Sequence, residues 1–547
     1  MNGPSAKGTV YEAFQRSVAR YPDNDFLCVL PETGRYYAME ARNYSYEQTG
    51  HEVAGLADLY QRAGLGHGHR VGLMLENRPA LFLHWLALNC LGASVVPINS
   101  DWRGAELEYI VGHSEMVAAV VPASRETDMR SAALRAGRDV SIVTAALHDL
   151  QHVSAAPKAN SRPAEFSECA LLYTSGTTGR PKGCVLTNEY FIWAGAWYAQ
   201  AGGLCRLGEG TERLLTPLPM THMNAMAFST MAMLLTGGCV IPLDRFHPST
   251  WWSSVRDSRA TIVHYLGVMP AMLLGAERQP TDRQHAVRFG FGAGVSPRLH
   301  SEFESRFGFP LLEAWAMTET GAGAVVIANH EPRKVGSACF GKPSRWVELR
   351  IVTEEGAAAS AGQHGELCVK SAGSRPEFGF FREYLKDPEG TAQAWEGGYF
   401  HTGDIVYADE EGDLHFVDRK KNVIRRSGEN ISAVEVESVI MQHPEVAGVG
   451  VAAVPDEVRG DEVMACVVTR AVLSEAQQST FARDLVDFCL QRLAYFKAPG
   501  FVAFCEQLPL TATEKIQRAR LGELARQMMG TARAIDLRAL KKRATVA

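Results

Sequence analysis

Short apolar runs alternate with stretches of helical pattern through most of this 547-residue chain. Val71–Leu75 precedes a helical stretch that begins near Pro79, Ser94–Ile98 precedes another near Arg103–His113, and Ala118–Val121 continues the series. Apolar strands separated by helices are typical of a mainly parallel sheet that is covered on both faces. The pattern therefore predicts an α/β fold, and the length predicts more than one domain.

The segment Leu214–Leu243 contains no Asp, Glu, Lys or Arg across 30 positions, which is longer than a membrane-spanning helix requires. It also contains Pro217, Pro219 and Pro242, which interrupt a helix near both ends, and the polar residue His222. These residues leave backbone groups that a bilayer cannot satisfy. We therefore expect a buried helix flanked by strands, no transmembrane segment, and no membrane transporter.

The pattern changes after about Gly341 to short strands with glycine and acidic turns, as in Val347–Val352, Gly365–Val369 and Gly412–Val417. This predicts a β-rich subdomain over about residues 341–418. The subdomain would close a large N-terminal domain, residues 1–420, built mainly of parallel α/β layers.

A basic run at residues 418–426 is followed by a helical pattern at Val434–His443 and a strand pattern at Val446–Val454. These elements predict a small α+β C-terminal domain over residues 421–547. No aromatic residues are interleaved with the basic run, so it does not indicate a nucleic-acid surface.

Composition excludes several classes of protein. The chain is 46% hydrophobic and 21% charged, with 55 Lys and Arg against 61 Asp and Glu, a formal net charge of −6. A disordered chain or a small disulfide scaffold is thereby excluded, and nothing global favours nucleic acid or anionic lipid. The 11 cysteines contain no CxxC pair, and residues 1–25 lack the apolar core of a secretory signal. We expect a reduced, cytoplasmic enzyme that binds anions through local features.

The segment Leu171–Gly183 begins in a short apolar strand, Ala170–Tyr173, and continues as a loop rich in hydroxyls and glycines. Glycines let backbone N–H groups approach an anion, hydroxyls donate to phosphate oxygens, and Lys182 adds positive charge. The segment is not a Walker A loop, because Pro181 precedes the lysine and disfavours a helix there. It is predicted to be a phosphate cradle.

Eleven consecutive residues, Tyr173–Gly183, match the signature loop of the adenylate-forming superfamily. The chain resembles the acyl-CoA synthetases of that superfamily along nearly its whole length, with local motifs closest to crotonobetaine/carnitine-CoA ligase-like members. The resemblance implies an AMP-forming acyl-CoA ligase. A carboxylic acid and ATP would give an acyl-adenylate and pyrophosphate, and the CoA thiol would then give acyl-CoA and AMP. ATP, Mg²⁺ and CoA are the implied cofactors and co-substrates.

Later motifs carry the same resemblance and imply roles for single residues. In Trp315–Gly321, Thr318 is expected to contact phosphate and Glu319 to bind Mg²⁺, since that ion prefers hard oxygen ligands. In residues 399–404, Asp404 is expected to accept from both ribose hydroxyls, with Arg419 beside it. The full set expected to contact ATP or AMP is Thr174, Ser175, Gly176, Thr177, Thr178, Gly179, Lys182, Gly292, Ala293, Gly294, Trp315, Ala316, Met317, Thr318, Asp404, Arg419 and Lys515.

Two motifs depart from the usual pattern of the family. Trp315 and Ala316 replace a common Tyr-Gly pair, although tryptophan can still stack on adenine. Glu514 stands where most relatives have glycine before the lysine that matches Lys515. The resemblance implies five catalytic residues, namely Lys515, Glu319, Thr318, Lys182 and His222.

The acid and CoA sites are also implied by the resemblance. Lys421 matches the hinge of the C-terminal domain, and Gly428, Glu429 and Asn430 match the CoA tunnel. No acidic residue stands at 218–228 to bind an α-ammonium, which disfavours an amino-acid substrate. The expected acid pocket is apolar and aromatic, and consists of Trp193, His222, Met223, Asn224, Tyr265, Leu266, Gly267, Trp315 and Ala316.

Two alternatives are weighed against the CoA ligase. One is an adenylating enzyme that delivers the acyl group to a carrier protein or another acceptor, and the Gly-Glu-Asn segment favours CoA instead. The other is a non-catalytic ATP-binding sensor, which the presence of Glu319, Asp404, Arg419 and Lys515 disfavours. We expect small-molecule partners and no nucleic acid, and the sequence leaves a homodimer open.

Overall fold

The computed structural model describes residues 6–102, 104–147, 150–153, 155–174, 181–419, 423–426, 429–456, 460–493, 495–510, 516–529, 531 and 533–541. Three sheets are built from the strands of this part of the chain. The strands are β1 (Asp25–Cys28), β2 (Asn43–Ser45), β3 (Arg70–Leu73), β4 (Ser94–Pro97), β5 (Ala118–Val120), β6 (Ser141–Val143), β7 (Glu168–Thr174), β8 (Lys182–Thr187), β9 (Arg213–Thr216), β10 (Cys239–Pro242), β11 (Ile262–Leu266), β12 (Phe289–Ala293), β13 (Leu311–Trp315), β14 (Val326–Ile327), β15 (Cys339–Pro343), β16 (Val347–Val352), β17 (Gly365–Ser371), β18 (Glu383–Tyr384), β19 (Phe400–Ala408), β20 (Leu414–Arg419), β21 (Val423–Arg426), β22 (Glu429–Ser432), β23 (Val446–Asp456), β24 (Gly460–Thr469), β25 (Phe501–Phe504) and β26 (Ala534–Asp536).

Helices cover the sheets. They are α1 (Val10–Arg20), α2 (Pro31–Tyr36), α3 (Tyr46–Arg62), α4 (Pro79–Cys90), α5 (Gly104–Ser114), α6 (Glu126–Arg135), α7 (Asn188–Gln200), α8 (Thr230–Thr236), α9 (Trp251–Asp257), α10 (Val268–Leu274), α11 (Pro297–Phe307), α12 (Pro388–Ala394), α13 (Ala433–Ile440), α14 (Glu475–Leu490) and α15 (Arg518–Met528). Helix α7 begins after Thr187, whose Oγ1 accepts the N–H of Tyr190 at 3.3 Å. Because most of α7 is buried, the helix packs inside the large domain.

The two large sheets confirm the predicted α/β class. In the seven-stranded sheet, β4, β3, β5 and β6 are parallel neighbours. In the thirteen-stranded sheet, β1, β10, β9, β11, β12 and β13 are parallel. The other half consists of β14, β15, β20, β19, β17 and β16, which pair antiparallel. The antiparallel half begins shortly before Gly341, where the sequence pattern changes.

The charge-free segment folds as predicted, into strands β9 and β10 around a buried helical turn. A π-helix at Asn224–Ser229 runs directly into α8. The helix ends at Gly237, where φ is +70° and an added Cβ would lie 2.4 Å from the ring of Tyr21, so only glycine fits. None of the helices in the described part of the chain has the length and apolar character needed to cross a bilayer.

The C-terminal part has a sheet and a core of its own. Strands β21 to β26 form this third sheet, and its core runs from Ile424 to Leu537, apart from the core of the large domain. The predicted helix at Val434–His443 corresponds to α13 and the predicted strand at Val446–Val454 to β23. The predicted domain boundary at residues 420 and 421 lies outside the described residues and stays a prediction.

Candidate active site

The predicted adenine turn lies where several parallel strands end together. Gly292 and Ala293 close β12, and Gly267 follows the neighbouring strand β11. A Cβ on Gly267 would lie 1.7 Å from the carbonyl oxygen of Gly294, so the two backbones are in direct contact. Ligands of open α/β sheets bind at such carboxyl edges.

Glu313 holds this turn in place, and the sequence analysis missed it. Its carboxylate accepts the N–H groups of Gly294 at 2.9 Å and Val295 at 3.0 Å, and the hydroxyl of Tyr265 at 3.0 Å. Burial raises the pKa of Glu313, and these hydrogen bonds oppose the rise. The sequence signal that could have identified Glu313 is a single carboxylate within the apolar strand β13.

Asp404 and Arg419, predicted for the ribose, face each other across β19 and β20 as register partners. Arg419 Nε lies 2.5 Å from Asp404 Oδ1, and the indole N–H of Trp315 donates to Oδ2 at 2.9 Å. Asp404 is only 1% exposed, and burial raises its pKa to about 6 even though Arg419 opposes the shift. The structure thus brings three predicted residues together, while the stacking of Trp315 on adenine stays a prediction.

Tyr384 links Lys182 to Glu319, and the sequence analysis selected neither Tyr384 nor the neighbouring Asp387. Lys182 Nζ forms an ion pair with Asp387 at 2.9 Å and lies 4.4 Å from the ring centre of Tyr384. The hydroxyl of Tyr384 donates to Glu319 Oε1 at 2.9 Å. Strand β8, which begins at Lys182, is therefore linked through one tyrosine to the predicted metal ligand.

The neighbours of Glu319 are ordered by backbone contacts. Thr318 is half-buried, and its carbonyl accepts the hydroxyl of Tyr190 at 2.9 Å. Phe381 donates its N–H to the carbonyl of Glu319 at 2.8 Å. The hydroxyl of Thr320 accepts the N–H of Met317 at 3.0 Å, which closes the turn after β13.

The predicted histidine segment follows β9, with His222 exposed, Met223 buried and Asn224 half-buried. Asn224 Oδ1 and Ser229 Oγ lie 2.6 Å and 2.9 Å from Nδ1 of His264, whose Nε2 lies 3.1 Å from the hydroxyl of Tyr198. Burial lowers the pKa of His264 to about 3, so the ring is neutral at physiological pH. A buried polar cluster thus fixes Asn224, and nothing in the sequence linked His264 to it.

Two other residues of the predicted acid pocket, Trp193 and Tyr265, have polar contacts of their own. Trp193 donates its indole N–H to the carbonyl of Ala322 at 2.9 Å and lines a cavity of about 500 Å³ together with Trp197 and Trp346. Tyr265 is buried and directs its hydroxyl to Glu313 beneath the adenine turn. Their membership of one acid pocket stays a prediction.

Part of the predicted site cannot be placed. Glu429 and Asn430 are described by their backbone alone, on strand β22 of an antiparallel hairpin with β21. The predicted residues outside the described part of the chain are Ser175, Gly176, Thr177, Thr178, Gly179, Lys421, Gly428 and Lys515.

Residues 14–385 match the family described as AMP-binding enzyme, and residues 435–515 match the AMP-binding enzyme C-terminal domain. The chain belongs to the AMP-binding enzyme family. Crotonobetaine/carnitine–CoA ligase of Citrobacter koseri is 31% identical over 495 residues, which cover 88% of this chain and 93% of that protein. The same enzyme of Salmonella paratyphi A is 31% identical over 497 residues, with the same two coverages.

Solved structures of AMP-binding enzymes share the fold. The o-succinylbenzoate CoA synthetase of Bacillus subtilis, in complex with its acyl-adenylate intermediate, superposes with a TM-score of 0.78 at 24% identity and covers 94% of this chain and 98% of that one. An anthranilate CoA ligase in complex with anthranoyl-AMP gives a TM-score of 0.78 at 22% identity, covering 95% and 97%. Family and relatives together make this protein an AMP-forming acyl-CoA ligase, as the motifs predicted.

Proposed function

We propose that the residues selected from the sequence motifs perform both half-reactions of this ligase, with a carboxylic acid held in an apolar, aromatic pocket and CoA as the acceptor. The observation that carries the proposal is the proximity of two buried carboxylates, Asp404 and Glu319. Asp404 is proposed to bind the ribose, and Glu319 is near enough that its charge adds to the rise in the pKa of Asp404 caused by burial. A nucleotide lying across these two carboxylates would engage both.

Glu319 fits a magnesium ligand. Its side chain is buried, it offers hard carboxylate oxygens, and its Oε1 is held by the hydroxyl of Tyr384. Thr318, on the adjacent half-buried position, would contact phosphate oxygens. A bound Mg²⁺ would neutralise negative charge on the nucleotide phosphates.

In the first half-reaction, an oxygen of the substrate carboxylate attacks the α-phosphorus of ATP, and the bond to pyrophosphate breaks. Negative charge accumulates around the phosphorus as this happens. Lys182 and Lys515 are proposed to stabilise that charge, and His222 to lie beside the acid. Holding the two reactants in line supplies the rest of the rate enhancement.

In the second half-reaction, the CoA sulfur attacks the acyl carbonyl carbon, the bond to AMP breaks, and the thiol proton is released. The C-terminal domain would turn about Lys421, withdraw Lys515 and present the β21–β22 hairpin around Gly428 to the CoA tunnel. The position of both Lys515 and this hairpin after Lys421 in the chain supports such an alternation.

Separate assays of the two half-reactions test this assignment. We expect Lys515→Ala to abolish acid-dependent pyrophosphate release and to retain CoA transfer from a supplied acyl-adenylate. Lys158→Ala, at an exposed lysine, is the matched control and keeps both rates. An equal fall of the two rates in Lys515→Ala would contradict the alternation of domains.

A screen of carboxylic acids would identify the substrate and show whether CoA is the acceptor. Pyrophosphate release would be measured over short, medium-chain, aryl and betaine-like acids, with and without CoA. Turnover that never needs CoA would favour the alternative in which a carrier protein or another acceptor takes the acyl group.

The eleven cysteines are all free thiols, which supports the proposal of a reducing compartment such as the cytoplasm.

A further inference from the structure

Three potential metal ligands meet on the antiparallel pair β17 and β19, in the β-rich half of the large sheet. Cys368 on β17 is the register partner of His401 on β19, and Glu366 lies two residues before Cys368, on the same face of β17. Cys368 Sγ lies 3.5 Å from His401 Nδ1, and that nitrogen lies 3.6 Å from Glu366 Oε2. One ligand atom from each residue lies within 4.8 Å of the other two.

The surroundings orient these atoms toward a common point. His401 Nε2 lies 3.2 Å from the carbonyl oxygen of Glu396, so Nε2 carries the hydrogen and the lone pair of Nδ1 faces the thiol and the carboxylate. The N–H of Gly403 donates to Glu366 Oε1 at 3.1 Å, which leaves Oε2 on the side of the histidine. Hydrogen bonds of this kind fix the orientation of the side chains that bind the metal in protein metal sites.

We propose that Glu366, Cys368 and His401 bind one divalent transition-metal ion of the Zn²⁺ class. Metal–ligand bonds of about 2.0 to 2.3 Å in a tetrahedron place sulfur and nitrogen about 3.6 Å apart, and nitrogen and oxygen about 3.4 Å apart. The distances of 3.5 and 3.6 Å agree with these edges. A set of one sulfur, one nitrogen and one oxygen suits Zn²⁺ rather than Mg²⁺, which prefers oxygen alone.

Binding releases one proton, because the Cys368 thiol must become a thiolate to form the metal–sulfur bond. The side chain of His401 is 34% exposed, so water can reach the cluster from that side and supply a fourth ligand. The ion would fasten β19 to β17 three residues before Asp404 and so stabilise the strand that carries the ribose carboxylate. The site is separate from Glu319 and does not depend on the assignment of the half-reactions.

Titration of the reduced, nucleotide-free and Mg²⁺-free full-length protein with Co²⁺ tests the proposal. We expect one equivalent to give the thiolate-to-cobalt charge-transfer band and the intense visible bands of a tetrahedral ion, and Zn²⁺ to displace it. Cys368→Ser should remove the charge-transfer band, and His401→Gln should lower Co²⁺ affinity by at least about tenfold. Cys505→Ser, at a half-buried cysteine packed with Cys466, is the matched control and leaves the band unchanged.

A charge-transfer band that persists in Cys368→Ser, is lost in Cys505→Ser, or never forms in the wild type overturns the proposal. Because Cys368 is buried, its variant can lose stability for reasons of packing. Glu366→Gln and His401→Gln change less buried residues, so these variants give a second test. The measured quantity is the rise in unfolding temperature that Zn²⁺ produces. We expect Zn²⁺ to raise the unfolding temperature of the wild type and to leave that of both variants unchanged, and an equal rise in all three overturns the assignment.

Discussion

Asp404 in the large domain and Glu462 in the C-terminal domain are both buried carboxylates on strands, yet their surroundings differ. Among the described residues, Asp404 pairs with one cation, Arg419, whose side chain is 41% exposed. Glu462 has no exposed side-chain surface and contacts two buried cations, Arg426, whose Nε lies 2.8 Å from Oε2, and Lys541. It also accepts the N–H of Val463 at 2.9 Å.

We infer that the difference separates a ligand-binding carboxylate, Asp404, from a structural one, Glu462. Burying a charge is costly unless the protein supplies partners for it. Glu462 receives its partners from the β21–β22 hairpin and from the last described residue, so it ties three segments of the C-terminal domain together. Asp404 is under-compensated, as its raised pKa shows, and retains capacity for the hydroxyl donors of a ligand.

The largest effect is expected from breaking the Glu462 cluster. Arg426→Ala leaves a fully buried carboxylate with one cation and should lower the free energy of unfolding by about 3 to 5 kcal/mol. Denaturant unfolding measures the loss. Arg20→Ala, which breaks an exposed pair with Glu209, is the control and should cost at most about 1 kcal/mol. Similar losses in the two variants would remove the distinction drawn above.

Asp404→Asn should weaken the binding of AMP without lowering the stability of the protein. Calorimetry at pH 8 should show AMP affinity reduced by about 10- to 100-fold, because hydrogen bonds to a charged group contribute about 1.5 to 3 kcal/mol. The free energy of unfolding should not fall, since the variant removes an under-compensated charge. A loss of stability as large as that of Arg426→Ala would show that Asp404 is structural.

The affinity for a ribose ligand should depend on pH through the same group. Only the ionised carboxylate of Asp404 accepts from both hydroxyls, so adenosine affinity should fall by about tenfold per pH unit below a pKa of about 6. Adenosine avoids the titration of a phosphate. Binding measured between pH 5 and 8 should show this loss in the wild type, and a flat profile in Asp404→Asn.

The stability of the unliganded protein should fall as the pH rises, whereas the affinity for adenosine should increase. Because the folded-state pKa of Asp404 is raised above its ordinary value, the contribution of this group to stability is greatest at low pH and is lost as the pH rises through about 6. A profile of opposite sign that Asp404→Asn abolishes would refute the assignment of the shift to this residue.

The smallest effect is expected from Tyr384→Phe, which removes the hydrogen bond to Glu319 and keeps the ring beside Lys182. A neutral donor contributes about 0.5 to 1.5 kcal/mol, so the Mg²⁺ concentration that half-saturates pyrophosphate release should rise by about 2- to 10-fold. Direct titration of Mg²⁺ into the complex with ATP gives the second readout. Tyr36→Phe, at an exposed tyrosine, should leave both values unchanged.

Local pattern was enough to predict much of the fold. The apolar run at Ala170–Tyr173 lies within β7, and the prolines around the charge-free segment correctly excluded a spanning helix. The pairing of Asp404 with Arg419 was also within reach, because their motifs lie on neighbouring antiparallel strands. In each case the decisive information lies within a few residues or one strand pair.

The hydrogen-bond partners of the site residues could not be predicted from the sequence. Tyr384 contacts Glu319 across 65 positions of sequence, and His264 contacts Asn224 across 40. Trp315, selected for stacking, donates its indole N–H to Asp404. A tyrosine or histidine in an apolar strand has the same local pattern whether its polar atom meets a backbone carbonyl or a functional carboxylate.

The sequence by itself determined the α/β class, the order of a large and a small domain, and the family, because these depend on periodicity and on short motifs. Only the tertiary structure decided which buried charges are compensated. Compensation depends on how many donors reach one carboxylate in space, and those donors come from segments far apart in the chain. Glu462 is committed to the fold by its three donors, whereas the smaller number at Asp404 supports its proposed role in ligand binding.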